Sequence, residues 1–269
     1  MKALEELLAV MARLRDPETG CPWDVEQTFA SIVPHTLEEA YEVADAMERG
    51  DRDAMRDELG DLLFQVVFYA RIAEEEGSFD FEAIAAGVRD KLIRRHPHVF
   101  GDQGPTTRIG QRATWEAIKA EERAARQTTV DGQPPSALDD VPLALPALTR
   151  SRKLQARAAR VGFDWPASHQ VVDKIREELA ELEEAMAADP PDESHVAEEV
   201  GDLLLACVNL SRKLGVDPEA ALRAGNAKFE RRFRGLEAVL KAAGETPEGV
   251  DFERLEAAYQ RAKAADNDT

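Results

Sequence analysis

Residues 36–71 read TLEEAYEVADAMERGDRDAMRDELGDLLFQVVFYAR, and residues 175–212 read IREELAELEEAMAADPPDESHVAEEVGDLLLACVNLSR. Both stretches have the same order of features: an EExxE group, a turn, an ExxD group and an apolar run. The second copy lies 139 residues after the first at Glu38 and 141 residues after it at Glu58, so the two additional residues fall in the turn. A turn tolerates such an insertion because both flanking helix faces stay in phase. The stretches therefore predict an internal repeat built on a pair of helices.

Apolar residues recur at helical spacing along most of the chain. No alternating apolar and polar run is long enough for a sheet, so the fold is predicted to be all-α. The first helix of the repeat is predicted to begin near Pro34, because Thr36 and Glu39 have the spacing of a capping box. The predicted helices cover residues 4–14, 34–49, 52–76, 84–97, 115–126, 148–161, 171–188, 194–214, 218–243 and 252–265.

A proline-rich, polar stretch divides the chain. Prolines are unfavourable inside a helix and stiffen an extended segment, so residues 128–147 are predicted to be a linker. The linker separates an N-terminal helical domain, residues 1–127, from a C-terminal helical domain, residues 148–269. Each predicted domain contains one copy of the repeat.

The composition limits the partners of the chain. A net charge of −19 and an isoelectric point of about 4.7 repel nucleic-acid phosphates, so an extended nucleic-acid surface is not expected. No run approaches the roughly 18 apolar residues of a membrane span, and the first residues include no cleavable apolar block, so we expect a cytoplasmic protein. Cys21 and Cys207 lie far apart and have no spacing typical of zinc sites.

Each copy of the repeat has four carboxylates at helical spacing. In the second copy, Glu178 and Glu181 are three residues apart on one predicted helix, and a second such pair lies on the next. Residues three apart share a helix face, and a short turn makes the two helices antiparallel neighbours, so the pairs can converge. Hard cations such as Mg²⁺ relieve the repulsion between converging carboxylates. The predicted metal quartets are Glu178, Glu181, Glu199 and Asp202, and, as a second candidate site, Glu39, Glu42, Glu58 and Asp61.

A solvated helix face is the alternative interpretation of any single acidic pair. Two observations favour the metal site: Asp61 and Asp202 each open a strongly apolar run, and the arrangement occurs twice. Two polar residues, Gln65 and Asn209, lie further along the same helices. Because buried amides need partners, they either contact a ligand's base or sugar or bond to a neighbouring helix.

Each half also has a later basic cluster. On a helix beside a metal site, lysine and arginine would neutralise phosphate oxygens that the metal leaves uncovered. The alternative is an ordinary cluster at a helix end that complements the helix dipole. The clusters are Lys91, Arg94 and Arg95 in DKLIRRHPHVF, and Lys228, Arg231 and Arg232 in NAKFERRF.

With the repeat, the quartets and the basic clusters in view, the chain resembles the two-domain MazG family of nucleoside triphosphate pyrophosphohydrolases. The resemblance extends over nearly the whole chain and rests on long, unusual strings. These are RLRDPETGCPWDVEQTF, HTLEEAYEVADA, DELGDLLFQVVFYAR, KLIRRHPHVFGD, WEAIKAEER, SALDDVPLALPAL, RVGFDW and NAKFERRFR.

The resemblance implies an all-α NTP pyrophosphatase fold in tandem helical bundles, assembled as a homodimer. It implies Mg²⁺-dependent release of pyrophosphate from many ribo- and deoxyribonucleoside triphosphates, with Mn²⁺ as a substitute. It also implies that the C-terminal quartet is the catalytic metal site and that the N-terminal copy serves dimerisation. The implied substrate-binding residues are Lys174, Glu177, Lys228, Arg231, Arg232 and Tyr259, the last standing where relatives carry Trp.

The hypothesis for the reaction is metal-assisted, in-line attack of water on the phosphate chain, with one of the metal-site glutamates as general base. Three alternatives remain beside it. Two are a hydrolase of alarmones or aberrant nucleotides and a non-catalytic acidic module for dimerisation or regulation. The third is a di-iron bundle, which is disfavoured because the quartet helices lack the ExxH spacing of such sites, although His195 precedes Glu199 by four residues.

Overall fold

The computed structural model describes residues 2–101, 107, 115, 118, 122, 136–190 and 192–267. All regular elements within these ranges are helices, which confirms the all-α prediction. The chain divides into two compact units, residues 1–127 and 128–269. None of the helices in the described ranges is long and apolar enough to cross a membrane.

The helices of the first unit are α1 Lys2–Leu14, α2 Pro22–Glu26, α3 Phe29–Arg49, α4 Arg52–Glu75, α5 Phe81–Arg95 and α6 Pro97–Phe100. Those of the second are α7 Ala147–Arg160, α8 Ser168–Ala187, α9 Glu193–Lys213, α10 Pro218–Ala242 and α11 Phe252–Asn267, with a 3₁₀ turn at Pro247–Gly249. Most of the predicted helix at residues 115–126 and the first part of the predicted linker, residues 128–135, lie outside the described residues.

Each copy of the repeat folds as a helical hairpin, α3 with α4 and α8 with α9. Gly50 ends α3 in the left-handed region at φ 70°, which glycine adopts without steric cost. Asp51 then caps α4, because its carboxylate accepts hydrogen bonds from the backbone N–H groups of Asp53 and Ala54. Asp192 caps α9 in the same way. These short, capped connections bring the acidic faces of paired helices together.

The predicted start of α3 was wrong. The helix begins at Phe29, because Thr28 and Ser31 form a capping box with reciprocal hydrogen bonds of 2.9 and 3.3 Å. Pro34 lies inside the helix, where it removes one backbone hydrogen bond without ending it. Thr36 caps nothing; its hydroxyl hydrogen-bonds the carbonyl of Ile32 at 3.2 Å instead.

Each unit has its own cluster of packed apolar side chains. In the first unit, buried side chains from α1, α3 and α4 meet: Met11, Ile32, Val67, Phe68 and Ile72. In the second, α10 and α11 pack through Leu236, Leu240 and Ala258. Burial of such side chains is the main favourable contribution to folding, at about 25 cal/mol per Å² of apolar surface.

Two arginines of the basic cluster in the first unit form ion pairs with one acidic side chain. Arg94 and Arg95 both form ion pairs with Glu122, whose side chain is 12% exposed. Hydrogen bonds from Arg95 and then Arg94 lower the pKa of Glu122 from 4.5 to about 2. A carboxyl with a lowered folded-state pKa stabilises the fold fully above its unfolded pKa, and this stabilisation is lost as the pH falls through the folded pKa.

Glu122→Gln is therefore expected to lower the free energy of unfolding near pH 6 and to flatten its fall between about pH 5 and about pH 2. Urea unfolding of both proteins at a series of pH values measures this. Glu5→Gln, at an exposed position on α1, serves as the control and should leave the profile unchanged. Parallel profiles for the wild type and Glu122→Gln would contradict the expectation.

Candidate metal centre

Three carboxylates of the second hairpin converge. Glu178 on α8 and Glu199 and Asp202 on α9 each present one carboxylate oxygen, and these oxygens lie within 4.8 Å of one another. The Glu178 side chain is 7% exposed and that of Glu199 12%, whereas Asp202 is exposed to solvent. The site thus has a buried wall and an open side through which a ligand can approach.

Glu181, the fourth member of the predicted quartet, lies outside this group of three. The pKa of Glu181 is nevertheless raised, first by desolvation and also by the neighbouring carboxylates Glu178 and Glu177. Glu181 therefore lies close enough to the cluster for the negative charge of Glu178 to raise its pKa.

Two further side chains contact the cluster. The Lys174 ammonium binds Glu178 at 2.8 Å and Glu177 at 2.5 Å, and these hydrogen bonds raise the pKa of Lys174 above its usual range. His195 Nδ1 lies 3.5 Å from Glu199 Oε1. Sequence reasoning considered His195 only as an iron ligand and missed that it lies beside a member of the cluster; the four-residue spacing on one helix was the available signal.

The first hairpin repeats the arrangement. Glu39 on α3 and Glu58 and Asp61 on α4 have oxygens within 4.8 Å of one another, and Glu42 lies outside the group. Burial raises the pKa of Glu39, and the charges of Asp61, Glu42 and Glu58 raise it further. Burial and the charges of Glu42 and Asp61 raise the pKa of Glu58 in the same way. The position of Glu42 in the first copy matches that of Glu181 in the second.

Both clusters consist of closely spaced carboxylate oxygens. Divalent cations that prefer oxygen ligands, Mg²⁺ and Mn²⁺, are the ions that such a donor set fits. Neither cluster includes a thiol, and each has only oxygen atoms as its ligands. Softer metals are therefore a poorer match to both clusters.

The predicted phosphate-binding residues lie on α10. Arg231 and Arg232 both bind Asp266 on α11, at 3.3 and 2.9 Å, while Lys228 is exposed. The Tyr259 ring packs against the α10–α11 core, with its centroid 6.4 Å from that of Phe229. The two guanidinium groups are thus held in place by one carboxylate.

The two halves share this arginine arrangement, which sequence reasoning missed. In each, two adjacent arginines bind one acid: Arg94 and Arg95 bind Glu122, and Arg231 and Arg232 bind Asp266. The acid stands seven residues after an aromatic residue in both cases, Trp115 in the first half and Tyr259 in the second. That equal spacing was the signal that the repeat continues beyond the hairpins.

The fold and the clusters define an all-helical protein with a duplicated, carboxylate-lined hairpin. The family model of the MazG nucleotide pyrophosphohydrolase domain matches this chain twice, at residues 27–100 and 167–235, and each match contains one hairpin with its carboxylate cluster. The chain belongs to the MazG nucleotide pyrophosphohydrolase family. The resemblance read from the sequence and the predicted enzyme class are both confirmed.

Relatives match along most of the chain. It is 52% identical over 268 residues, with 100% of both chains covered, to the nucleoside triphosphate pyrophosphohydrolase of Escherichia coli (strain K12). It is 43% identical over 262 residues, 97% of this chain and 96% of the relative, to the nucleoside triphosphate pyrophosphohydrolase/pyrophosphatase MazG of Thermotoga maritima. The nucleoside triphosphate pyrophosphohydrolase of Mycobacterium tuberculosis is 39% identical over 174 residues, 64% of this chain and 49% of the relative.

Proposed function

We propose that this protein hydrolyses ribo- and deoxyribonucleoside triphosphates to a nucleoside monophosphate and pyrophosphate, with Mg²⁺ as the cofactor and Mn²⁺ as a substitute. The observation that carries the proposal is the convergence of Glu178, Glu199 and Asp202 in a chain that belongs to the MazG family. The names of the Escherichia coli and Thermotoga maritima relatives support the substrate class.

The carboxylates of the second hairpin would hold the cation, with Glu178, Glu199 and Asp202 as ligands and Glu181 completing the acidic wall. When bound, Mg²⁺ supplies charge neutralisation at the phosphates and acidifies a water molecule. A glutamate of the quartet accepts the proton of the attacking water. The spacing on the helix places such a carboxylate on the face that the cluster occupies.

The basic side chains act on the phosphate chain. Lys174 already lies beside the cluster and can exchange its carboxylate partners for phosphate oxygens. Three basic side chains stabilise the charge that develops on the pyrophosphate leaving group. They are Arg231 and Arg232, which Asp266 orients, and the exposed Lys228. Glu177, which binds Lys174, and Tyr259 complete the proposed substrate contacts.

The two repeats have different roles in this proposal. Residues 148–269 form the catalytic domain, residues 1–127 the domain that supports a homodimer, and residues 128–147 the linker between them. The first cluster, with Glu39, Glu58 and Asp61 together and Glu42 beside them, is a second candidate cation site. We place the enzyme in the cytoplasm, where nucleoside triphosphates are made and used.

A product assay over a nucleotide panel tests the function. With millimolar Mg²⁺, each ribo- and deoxyribonucleoside triphosphate is expected to yield equal amounts of monophosphate and pyrophosphate, and EDTA should stop the reaction. The panel includes a guanosine tetraphosphate as a competing substrate class. Release of orthophosphate with a nucleoside diphosphate, or turnover restricted to the tetraphosphate, would overturn the proposal.

A further inference from the structure

Asp266 on α11 binds two adjacent arginines of α10. Its Oδ1 atom accepts a hydrogen bond from Arg231 Nε at 3.3 Å, and its Oδ2 atom accepts one from Arg232 Nε at 2.9 Å. Successive side chains of an α-helix point about 100° apart, so adjacent arginines diverge unless a common partner draws them together. One carboxylate therefore holds two guanidinium groups side by side.

These ion pairs lie partly out of solvent. The Asp266 side chain is 22% exposed and that of Arg232 12%, whereas that of Arg231 is 59% exposed. The hydrogen bond from Arg232, and after it the one from Arg231, lowers the pKa of Asp266. The carboxylate is therefore ionised at neutral pH, where its charge strengthens both hydrogen bonds.

Close packing of α10 against α11 places Asp266 within reach of the arginines. Gly235 lies one turn after Arg231 on α10, and residues four apart share a helix face. On α11, Ala262 lies one turn before Asp266. A Cβ atom added at Gly235 would lie 2.8 Å from the Cβ atom of Ala262, which is closer than carbon atoms pack. Glycine thus lets the two helices approach, and a short acidic side chain spans the remaining gap.

The first unit has the same arrangement with a longer acid. Arg94 and Arg95 bind Glu122 there, and this acid stands seven residues after an aromatic residue, as Asp266 does in the second unit. The length of the acidic side chain differs between the two copies. What the copies share is a carboxylate that joins two adjacent arginines.

Binding of the arginines to Asp266 is compatible with binding of phosphate. A guanidinium group has five N–H donors, and each arginine contacts Asp266 through its Nε atom. Arginine and phosphate form strong hydrogen bonds that are often bidentate. Two guanidinium groups held side by side offer such donors to two neighbouring phosphoryl groups, which pyrophosphate has and a nucleoside monophosphate lacks.

We propose that Asp266 is a positioning residue that pairs Arg231 and Arg232 for the pyrophosphate half of the substrate. The inference rests on the proposed function, in which this arginine pair stabilises the pyrophosphate leaving group. It extends that function by assigning the pairing to a residue that contacts no phosphate itself. Without the carboxylate, the guanidinium groups separate and bind the two phosphoryl groups less well. Binding of the monophosphate half does not depend on Asp266.

Inhibition by each half of the substrate tests the proposal in the full-length protein. The probes are imidodiphosphate, a non-hydrolysable analogue of pyrophosphate, and AMP, with ATP and Mg²⁺ as the substrate. Asp266→Asn keeps the size of the side chain and removes its charge. It is expected to raise Ki for imidodiphosphate about tenfold and to lower kcat by a similar factor, because misplaced arginines bind the leaving group less well. Ki for AMP should stay within about twofold of the wild-type value.

Further variants distinguish positioning from a merely structural role. Asp266→Glu retains the carboxylate, as Glu122 does in the first unit, and should restore most of the affinity for imidodiphosphate. Glu253→Gln removes an exposed carboxylate from the first turn of α11 and is expected to leave both Ki values unchanged. Gly235→Ala displaces α11 as a whole and should weaken inhibition by both probes, since Tyr259 lies on the same helix.

Three results would overturn the proposal. Equal weakening of both probes in Asp266→Asn, which is the pattern expected of Gly235→Ala, would show that Asp266 only fastens α11 to α10. Tighter inhibition of Asp266→Asn by imidodiphosphate would show that the carboxylate competes with phosphate for the arginines. Unchanged Ki and kcat would show that the arginines need no common partner.

Failure of the proposed function has a different signature. In that case the wild-type protein releases no pyrophosphate from ATP, whereas failure of the present proposal leaves the wild-type activity intact and removes only the effect of Asp266→Asn. Circular dichroism at the assay temperature confirms that each variant is folded. Titration calorimetry of imidodiphosphate with Mg²⁺ measures the contribution of Asp266 to binding without turnover.

Discussion

Asp202→Asn is expected to lower the rate of pyrophosphate release at least about 100-fold, because even changes beside a metal ligand cost 10 to 100-fold in affinity or activity. The substitution keeps the size of the side chain and removes one of three carboxylates whose oxygens lie within 4.8 Å. With less negative charge, the cluster attracts a divalent cation less strongly. Initial rates over a range of Mg²⁺ concentrations, with calorimetric titration of Mn²⁺, measure both consequences.

Asp61→Asn is the matched control, since Asp61 holds the same position in the first cluster. We expect this variant to keep the rate of pyrophosphate release within about threefold of the wild type, because the proposed function assigns catalysis to the second cluster. Calorimetry should still show loss of one class of cation site. Equal loss of activity in both variants would contradict the assignment of catalysis to the second half.

The fold was predictable because its signals are local. Helical periodicity and caps such as Asp51 and Asp192 depend on residues a few positions apart, and the structure places α4 and α9 within a residue of the predicted bounds. The start of α3 was missed for an equally local reason. Thr36 and Glu39 have the spacing of a capping box, but the capping box that forms is that of Thr28 and Ser31, which lies eight residues earlier.

The site was predictable only in part. Spacing on a helix fixes which face a carboxylate occupies, and this brought Glu178, Glu199 and Asp202 together. Spacing does not fix the rotamer of a long side chain, so the sequence could not show that Glu181 lies outside the group of three. Contacts between distant residues, such as that of Gln155 with the carbonyl of Leu205, are encoded by no local pattern.

In the N-terminal segment, one side chain makes several long-range contacts. Arg15, at 8% exposure, donates to the carbonyls of Asp24 at 2.5 Å and Gln27 at 3.1 Å. Its guanidinium also binds Glu75 of α4 at 2.7 Å and lies 5.4 Å from the centroid of the Phe68 ring. One side chain therefore connects α1, the short α2 segment and α4.

Arg15→Ala is expected to destabilise the first unit by about 3 kcal/mol, because removing one partner of a buried ion pair leaves the other charge and its hydrogen-bonding groups unsatisfied. Hydrogen exchange measured by mass spectrometry resolves the effect by segment, and amides of α1 and α4 should exchange faster while those of α8 and α9 keep their rates. Arg56→Ala removes an arginine whose side chain is 73% exposed and should cost less than about 1 kcal/mol. Equal protection of α4 in the two variants would show that the Arg15 contacts contribute no more than a surface ion pair.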